Sequence, residues 1–268
     1  MVLSFAKYEG AGNDFVVIDA RTFDFEPTVE FVSGLCDRHF GIGADGLMLL
    51  GLGQGKAEFD MRYYNADGRE ATMCGNGGRC IALFAHHLGI GGRKKLFSGP
   101  DGLHCAKIVE ADDLRGVVEL QMTDVSDIVQ GYDYLLLDTG SPHYVRFVDS
   151  VEDVDVVSEG RAIRGDKSYG EAGVNVNFVE MTGEGAFRLR TYERGVEDET
   201  LACGTGATAA AIAAHVARQP DVRSFDISAR GGRLSVSFAD SGRGSFTDIW
   251  LKGPAQRVFS GKFETDNF

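Results

Sequence analysis

A segment ending in Cys-Gly-x-Gly occurs twice in this chain, and the residues leading into it repeat in the same order. Arg62-Tyr-Tyr-Asn-Ala-Asp-Gly68 and then Met73-Cys74-Gly75-Asn76-Gly77 match Arg190-Thr-Tyr-Glu-Arg-Gly195 and then Ala202-Cys203-Gly204-Thr205-Gly206. Arg62 precedes Cys74 by 12 positions and Arg190 precedes Cys203 by 13. Upstream, Gly43-Ala-Asp-Gly-Leu47 pairs with Gly173-Val-Asn-Val-Asn177, and Gly12-Asn13-Asp14-Phe15-Val16 loosely with Gly140-Ser141-Pro142-His143-Tyr144-Val145. A period of about 130 residues is a domain duplication rather than a solenoid. The chain is therefore expected to fold as two related α/β halves, each carrying one Cys-Gly-x-Gly.

Within each half, strands and helices interleave. Val16–Asp19, Gly46–Leu50, Phe59–Tyr64, Val117–Met122, Tyr134–Leu137, Val176–Glu180, Phe187–Tyr192 and Leu234–Phe238 carry β-branched and aromatic residues between turn formers and read as strands. Gly77–Leu88 and the alanine-rich Gly206–Arg218 read as helices, each directly after a cysteine. Each cysteine is thus expected at or just before a helix N-terminus, where the macrodipole and unpaired N–H groups favour a thiolate. The adjoining glycines leave those N–H groups open to a carboxylate as well.

Two such sites on opposite sides of a cleft would hold one sulfur on each face of a bound anion. This suits inversion at the α-carbon of an amino acid. One thiolate removes the proton, the opposite thiol delivers another, and N–H donors stabilise the charge that develops on the carboxylate.

Bulk properties narrow the partners. A formal charge of −13 argues against nucleic acid, which needs basic patches, and gives no attraction to an anionic membrane surface. No apolar run approaches the roughly 18–20 residues of a membrane span, and the N-terminus lacks signal-peptide features, so a cytoplasmic protein is expected. The five cysteines form no CxxC pair, which argues against a disulfide framework or a zinc site; Cys36, Cys80 and Cys105 read as small buried hydrophobes.

Gly12-Asn13-Asp14-Phe15, Arg38-His-Phe-Gly-Ile-Gly-Ala-Asp-Gly46, Asn65-Ala-Asp-Gly68, Met73-Cys-Gly-Asn-Gly-Gly-Arg79, Glu193-Arg-Gly195 and Ala202-Cys-Gly-Thr-Gly206 resemble, in order, the motifs of diaminopimelate epimerase. The resemblance implies an α/β (α+β) fold of two pseudo-symmetric halves, each a curved sheet or barrel around a central helix. It places the first half at residues 1–115, with a tail near 256–268 packing on it, and the second at 116–255. The implied reaction interconverts L,L- and meso-diaminopimelate in lysine and peptidoglycan precursor synthesis, by a homodimer needing no pyridoxal phosphate, metal or nucleotide.

Residue by residue, Cys74 and Cys203 match the family's acid–base pair. Asn13, Asn65, Gly75, Asn76, Asn175, Glu193, Arg194, Gly204 and Thr205 match its substrate contacts, and His143 and Glu193 match positions that influence the cysteines. Ser141 and Gly46 depart from some members, which carry Asn and Gln there. A proline or hydroxyproline racemase on the same two-cysteine plan is the nearest rival, but the polar set Asn13/Asn65/Asn175/Glu193/Arg194 favours a substrate charged at both ends. A phenazine-type isomerase and a thiol redox switch rank below it.

Overall fold

The computed structural model describes residues 2–71 and 73–265, so the last three residues of the expected 256–268 tail lie outside the described residues. The chain divides into two compact units, one made of the residues up to Leu120 and from Gly253 onward, the other of Gln121–Lys252.

In the first unit the order is β1 (Val2–Gly10), β2 (Asn13–Asp19), α1 (Val29–Cys36), β3 (Gly46–Leu52), β4 (Phe59–Asn65), β5 (Glu70–Ala71), α2 (Gly75–His87), β6 (Lys94–Gly99), β7 (Gly102–Ala111) and β8 (Arg115–Gln121). β1, β2, β3, β4, β6, β7 and β8 pair in that sequence, with β2–β3 and β4–β6 parallel and the other neighbours antiparallel. Residues 253–264 of the chain's last strand pair with β8 at one end and β1 at the other, closing an eight-stranded ring. α2 packs against β1, β2, β3 and β7 and is buried from Gly75 to Ala85, so it is the ring's central helix. α1 covers the ring's outer face through Phe31, Val32 and Leu35, which meet Val16, Ile18, Leu47 and Leu49.

The second unit repeats this order. It comprises β9 (Val129–Gln130), β10 (Tyr134–Asp138), β11 (Pro142–Phe147), α3 (Val156–Arg164), β12 (Asn175–Gly183), β13 (Ala186–Glu193), β14 (Asp198–Thr200), α4 (Gly204–Ala217), β15 (Ser224–Ala229), β16 (Gly232–Gly242) and the first half of β17 (Ser245–Glu264). β11–β12 and β13–β15 are parallel, as β2–β3 and β4–β6 are. Here the ring is closed by the segment after β8: Val125 bridges Phe246, and β9 pairs with β10. α4 is enclosed on all sides, and its run of alanines makes that possible, since a ring of this size has little room for longer side chains around a helix.

The structure moves several sequence boundaries. Both central helices start two residues earlier than expected, at Gly75 and Gly204, because a glycine next to a capping residue does not prevent a first helical turn. β17 runs unbroken through Gly253-Pro254. Pro254 lies in the stretch paired with β8 alone, between the end of β16 pairing at Lys252 and the start of β1 pairing at Gln256, so its missing N–H costs little. α1 and α3 are short and capped by Thr28 and Asp155 rather than marked by a long apolar period.

Candidate active site

Cys74 is the N-cap residue of α2 and Cys203 the N-cap residue of α4, both with extended backbone (φ −106° and −112°). The two positions are equivalent in the repeat, and so are their neighbours. The pairing registers place Phe15 beside Gly46 and Gly46 beside Asn65 in one unit, and His143 beside Asn175 in the other. By the same registers Asn13 corresponds to Ser141, and, two residues after the capping cysteines, Asn76 corresponds to Thr205.

In the first unit, Cys74 Sγ donates to Asn13 Oδ1 at 3.6 Å, and Asn76 Nδ2 donates to the same oxygen at 3.5 Å. Fully buried Arg79 pins the helix start, donating to Gly75 O at 3.1 Å, Asn76 Oδ1 at 2.9 Å and Pro254 O at 3.3 Å. Its charge lies close enough to act on the Cys74 and Cys80 thiols. Asn65 ends β4 on the same rim, opposite Gly46, and opens the turn whose Gly68 has φ +85°. Gly46 has no room for a side chain: a Cβ there would meet Tyr64 O at 2.4 Å and the Tyr63 ring at 2.6 Å. Asn13, Asn65, Gly75 and Asn76 therefore gather with Cys74 at one end of the first ring.

In the second unit, buried Cys203 accepts from Gly206 N–H at 3.3 Å and lies 3.4 Å from Thr205 Oγ1. Thr205 Oγ1 accepts from Ser141 Oγ at 3.5 Å, and Ser141 Oγ lies 3.0 Å from His143 Nε2. The shorter Ser141 meets the Thr205 hydroxyl. Asn175 Nδ2 donates to Ser141 Oγ at 3.2 Å, while its Oδ1 accepts from the Arg194 backbone N–H at 3.0 Å. Glu193 ends β13 and accepts from Thr200 Oγ1 at 3.0 Å. Residues missed in the sequence are Asn177 and Thr191: Asn177 Nδ2 donates to His143 Nδ1 at 3.0 Å, and its Oδ1 accepts from Thr191 Oγ1 at 3.0 Å. Alternation along β12 puts Asn177 on the face of Asn175, which was the available signal.

His143 is fully buried. Burial, with a smaller push from the Arg194 guanidinium, pulls its imidazole down to about 3. It is therefore a neutral ring near neutrality and reaches Cys203 through hydrogen bonds, not through a positive charge. The unfolded chain binds a proton near the ordinary 6.5 and the folded chain does not. This group's contribution to stability is complete above pH 6.5 and is lost as pH falls towards 3, at roughly 1.4 kcal/mol per pH unit. Urea unfolding between pH 7.5 and 5 should show that loss in the wild type and a flatter profile in His143→Gln.

Cys36, Cys80 and Cys105 are buried, and burial pushes the Cys36 thiol up to about 12 and the Cys80 thiol still higher. Among the described residues no group of three or more His, Cys, Asp or Glu side chains could hold a metal ion. None of the described helices is long and apolar enough to cross a membrane.

Two rings, each closed around a central helix, form a duplicated fold that solved structures share. A phenazine biosynthesis protein of the PhzF family from Bacillus anthracis superposes with a TM-score of 0.76 at 11% identity, covering 98% of this chain and 99% of that one. A hydroxyproline epimerase from Agrobacterium vitis, solved with trans-4-hydroxy-L-proline, gives 0.71 at 15% identity, covering 97% and 92%. The sequence narrows the class further. The family model described as diaminopimelate epimerase matches residues 5–127 and 135–258. The diaminopimelate epimerase of Flavobacterium psychrophilum is 49% identical over 254 residues, spanning 94% of this chain and 97% of its own. This chain belongs to the diaminopimelate epimerase family.

Proposed function

We propose that the protein interconverts L,L- and meso-diaminopimelate, with Cys74 and Cys203 as its two acid–base groups. The observation that carries this reading is the recurrence of one residue type, cysteine, at the N-cap of the central helix in both repeated units. Inversion needs one acid–base group on each face of the α-carbon, and the duplication supplies two.

In the proposed reaction one sulfur, as thiolate, takes the proton from Cα. The electron pair left on carbon spreads into the adjoining carboxylate, where first-turn N–H groups at 75–76 and 204–205 favour negative charge. The other sulfur delivers its proton to the opposite face. Each turnover thus leaves the thiol and thiolate exchanged, and no pyridoxal phosphate or metal takes part. Asn13, Asn65, Asn175, Glu193 and Arg194 would orient the amino groups and the distal carboxylate of a substrate charged at both ends. Glu193 and neutral His143 would bias the protonation of Cys203. The reaction would serve lysine and peptidoglycan precursor synthesis in the cytoplasm, with the protein as a homodimer.

Incubating reduced protein with L,L-diaminopimelate in deuterated water tests this. The expected result is meso product carrying deuterium at the inverted α-carbon. No exchange into diaminopimelate, with exchange into proline instead, would replace this reading by a proline-type racemase.

A further inference from the structure

The Arg38–Gly46 motif supplies no residue to the chemistry above, yet Asp45 within it reaches the Cys74 half-site. Asp45 Oδ2 accepts from Asn13 Nδ2 at 2.6 Å and from the Asp14 N–H at 3.1 Å, and its Oδ1 accepts from Arg38 Nη2 at 2.7 Å. An ionised carboxylate only accepts, so the amide nitrogen of Asn13 has to face it. That leaves Asn13 Oδ1 facing Cys74 Sγ at 3.6 Å and Asn76 Nδ2 at 3.5 Å. An amide free to rotate could equally present its N–H to the sulfur. The two orientations have opposite chemical effects, because an acceptor stabilises S–H and a donor stabilises the thiolate.

We infer that Asp45 is a positioning residue that locks the Asn13 amide with its oxygen towards Cys74, favouring the protonated, proton-delivering form of that thiol. The lock is itself anchored. Arg38 also donates to both oxygens of Asp14, at 2.8 and 3.2 Å, and Lys7 Nζ pairs with Asp14 at 2.6 Å. Burial pushes the Asp14 carboxyl up, but the Arg38 and Lys7 hydrogen bonds outweigh it and hold it at about 2. Arg38 is thereby fixed between two carboxylates. At Cys203 the Gly206 N–H donates to the sulfur, and the Thr205 hydroxyl beside it can donate or accept. The two half-sites are equivalent in fold, but only the Cys203 sulfur accepts a helix N–H as its cap bond.

The inference rests on Cys74 being one of the two acid–base groups, but its test reads the thiol rather than the turnover. Arg79 on α2 acts on the Cys74 thiol, with Glu9 on β1 beside that guanidinium, while Lys7 on β1, Asp14 on β2, and Arg38 and Asp45 from the loop before β3 form the charged cluster on the far side of Asn13. Of these only Asp45 is varied. Alkylation of Cys74 by iodoacetamide is followed by peptide mass spectrometry from pH 6 to 9 in the wild type, Asp45→Ala, Asn13→Ala and the double variant. Asp45→Ala should raise the Cys74 rate at pH 7 by roughly tenfold, moving the profile to lower pH. In the Asn13→Ala background the same change should do nothing, since the residue it acts through is gone. An unchanged profile in Asp45→Ala overturns the inference. So does an equal shift in both backgrounds, which would make Asp45 act by charge alone. The Cys203 rate in the same samples reports whether the fold is retained, and Asp45→Ser, which keeps a polar group for the Asp14 N–H, repeats the comparison if alanine is not tolerated.

Discussion

Cys74→Ala and Cys203→Ala each lower the rate of epimerisation by about 10³-fold or more, the range for loss of a general acid or base in a proton transfer. The expected loss is this large because the side chains that meet the two sulfurs, Asn13 and Thr205, cannot take over the proton transfer. His143 is neutral and fully buried, and Thr205 and Asn13 do not ionise in the working range. The variants should also differ in kind from a simple knockout. With one thiol left, a proton can still be removed and returned on a single face. Each variant is therefore expected to exchange the α-hydrogen of one stereoisomer slowly with solvent deuterium, without inverting it, and the two variants should select opposite configurations. Measurement by mass spectrometry and chiral chromatography of the recovered amino acid checks both points. Full inversion by either variant would exclude a two-thiol mechanism.

Gly206→Ala is expected to cost about 2 kcal/mol of stability and to reduce turnover well beyond what that loss explains. A Cβ at this position would lie 2.4 Å from Asn177 Oδ1 and 3.2–3.3 Å from Cys203 Cβ and Sγ. Asn177 cannot easily retreat. It is fully buried and held by His143 Nδ1, Tyr144 O and Thr191 Oγ1. Moving it disturbs the hydrogen-bonded chain that runs through His143 and Ser141 to Thr205, beside the sulfur. Gly77→Ala, at the equivalent place in the first unit, is the informative control. There the nearest atom is Met48 Cε at 2.6 Å, the end of a flexible side chain that can turn aside. Chemical denaturation and kcat for the two variants should separate clearly, and equal effects would remove the argument from Asn177.

The cysteine positions were legible in the sequence because Cys-Gly-x-Gly before an apolar run carries its own explanation, and duplication repeats it. The helix starts were less so, since glycine lowers helix propensity and hides a first turn that burial and Arg79 hold in place. Strands such as Lys94–Gly99 and Ser224–Ala229 escaped because they carry charged or small residues and are fixed by their neighbours in a closed ring. The role of Asp45 was out of reach for another reason. It depends on which way one amide points, 32 residues away in the chain. Ser141 stood out only as a departure from other members, whereas its hydroxyl joins His143 to Thr205.

The way the rings close also bears on how the chain is made. The second unit takes its closing segment from the residues just after β8, so Gln121–Lys252 is continuous in sequence. The first unit cannot close until residues 253–264 are available, and those are made after every residue of the second unit. The half synthesised first is thus completed second. Until then the edges of β1 and β8 wait unpaired, and a chain that stops near Lys252 leaves the Cys74 half open while the Cys203 half has all of its strands.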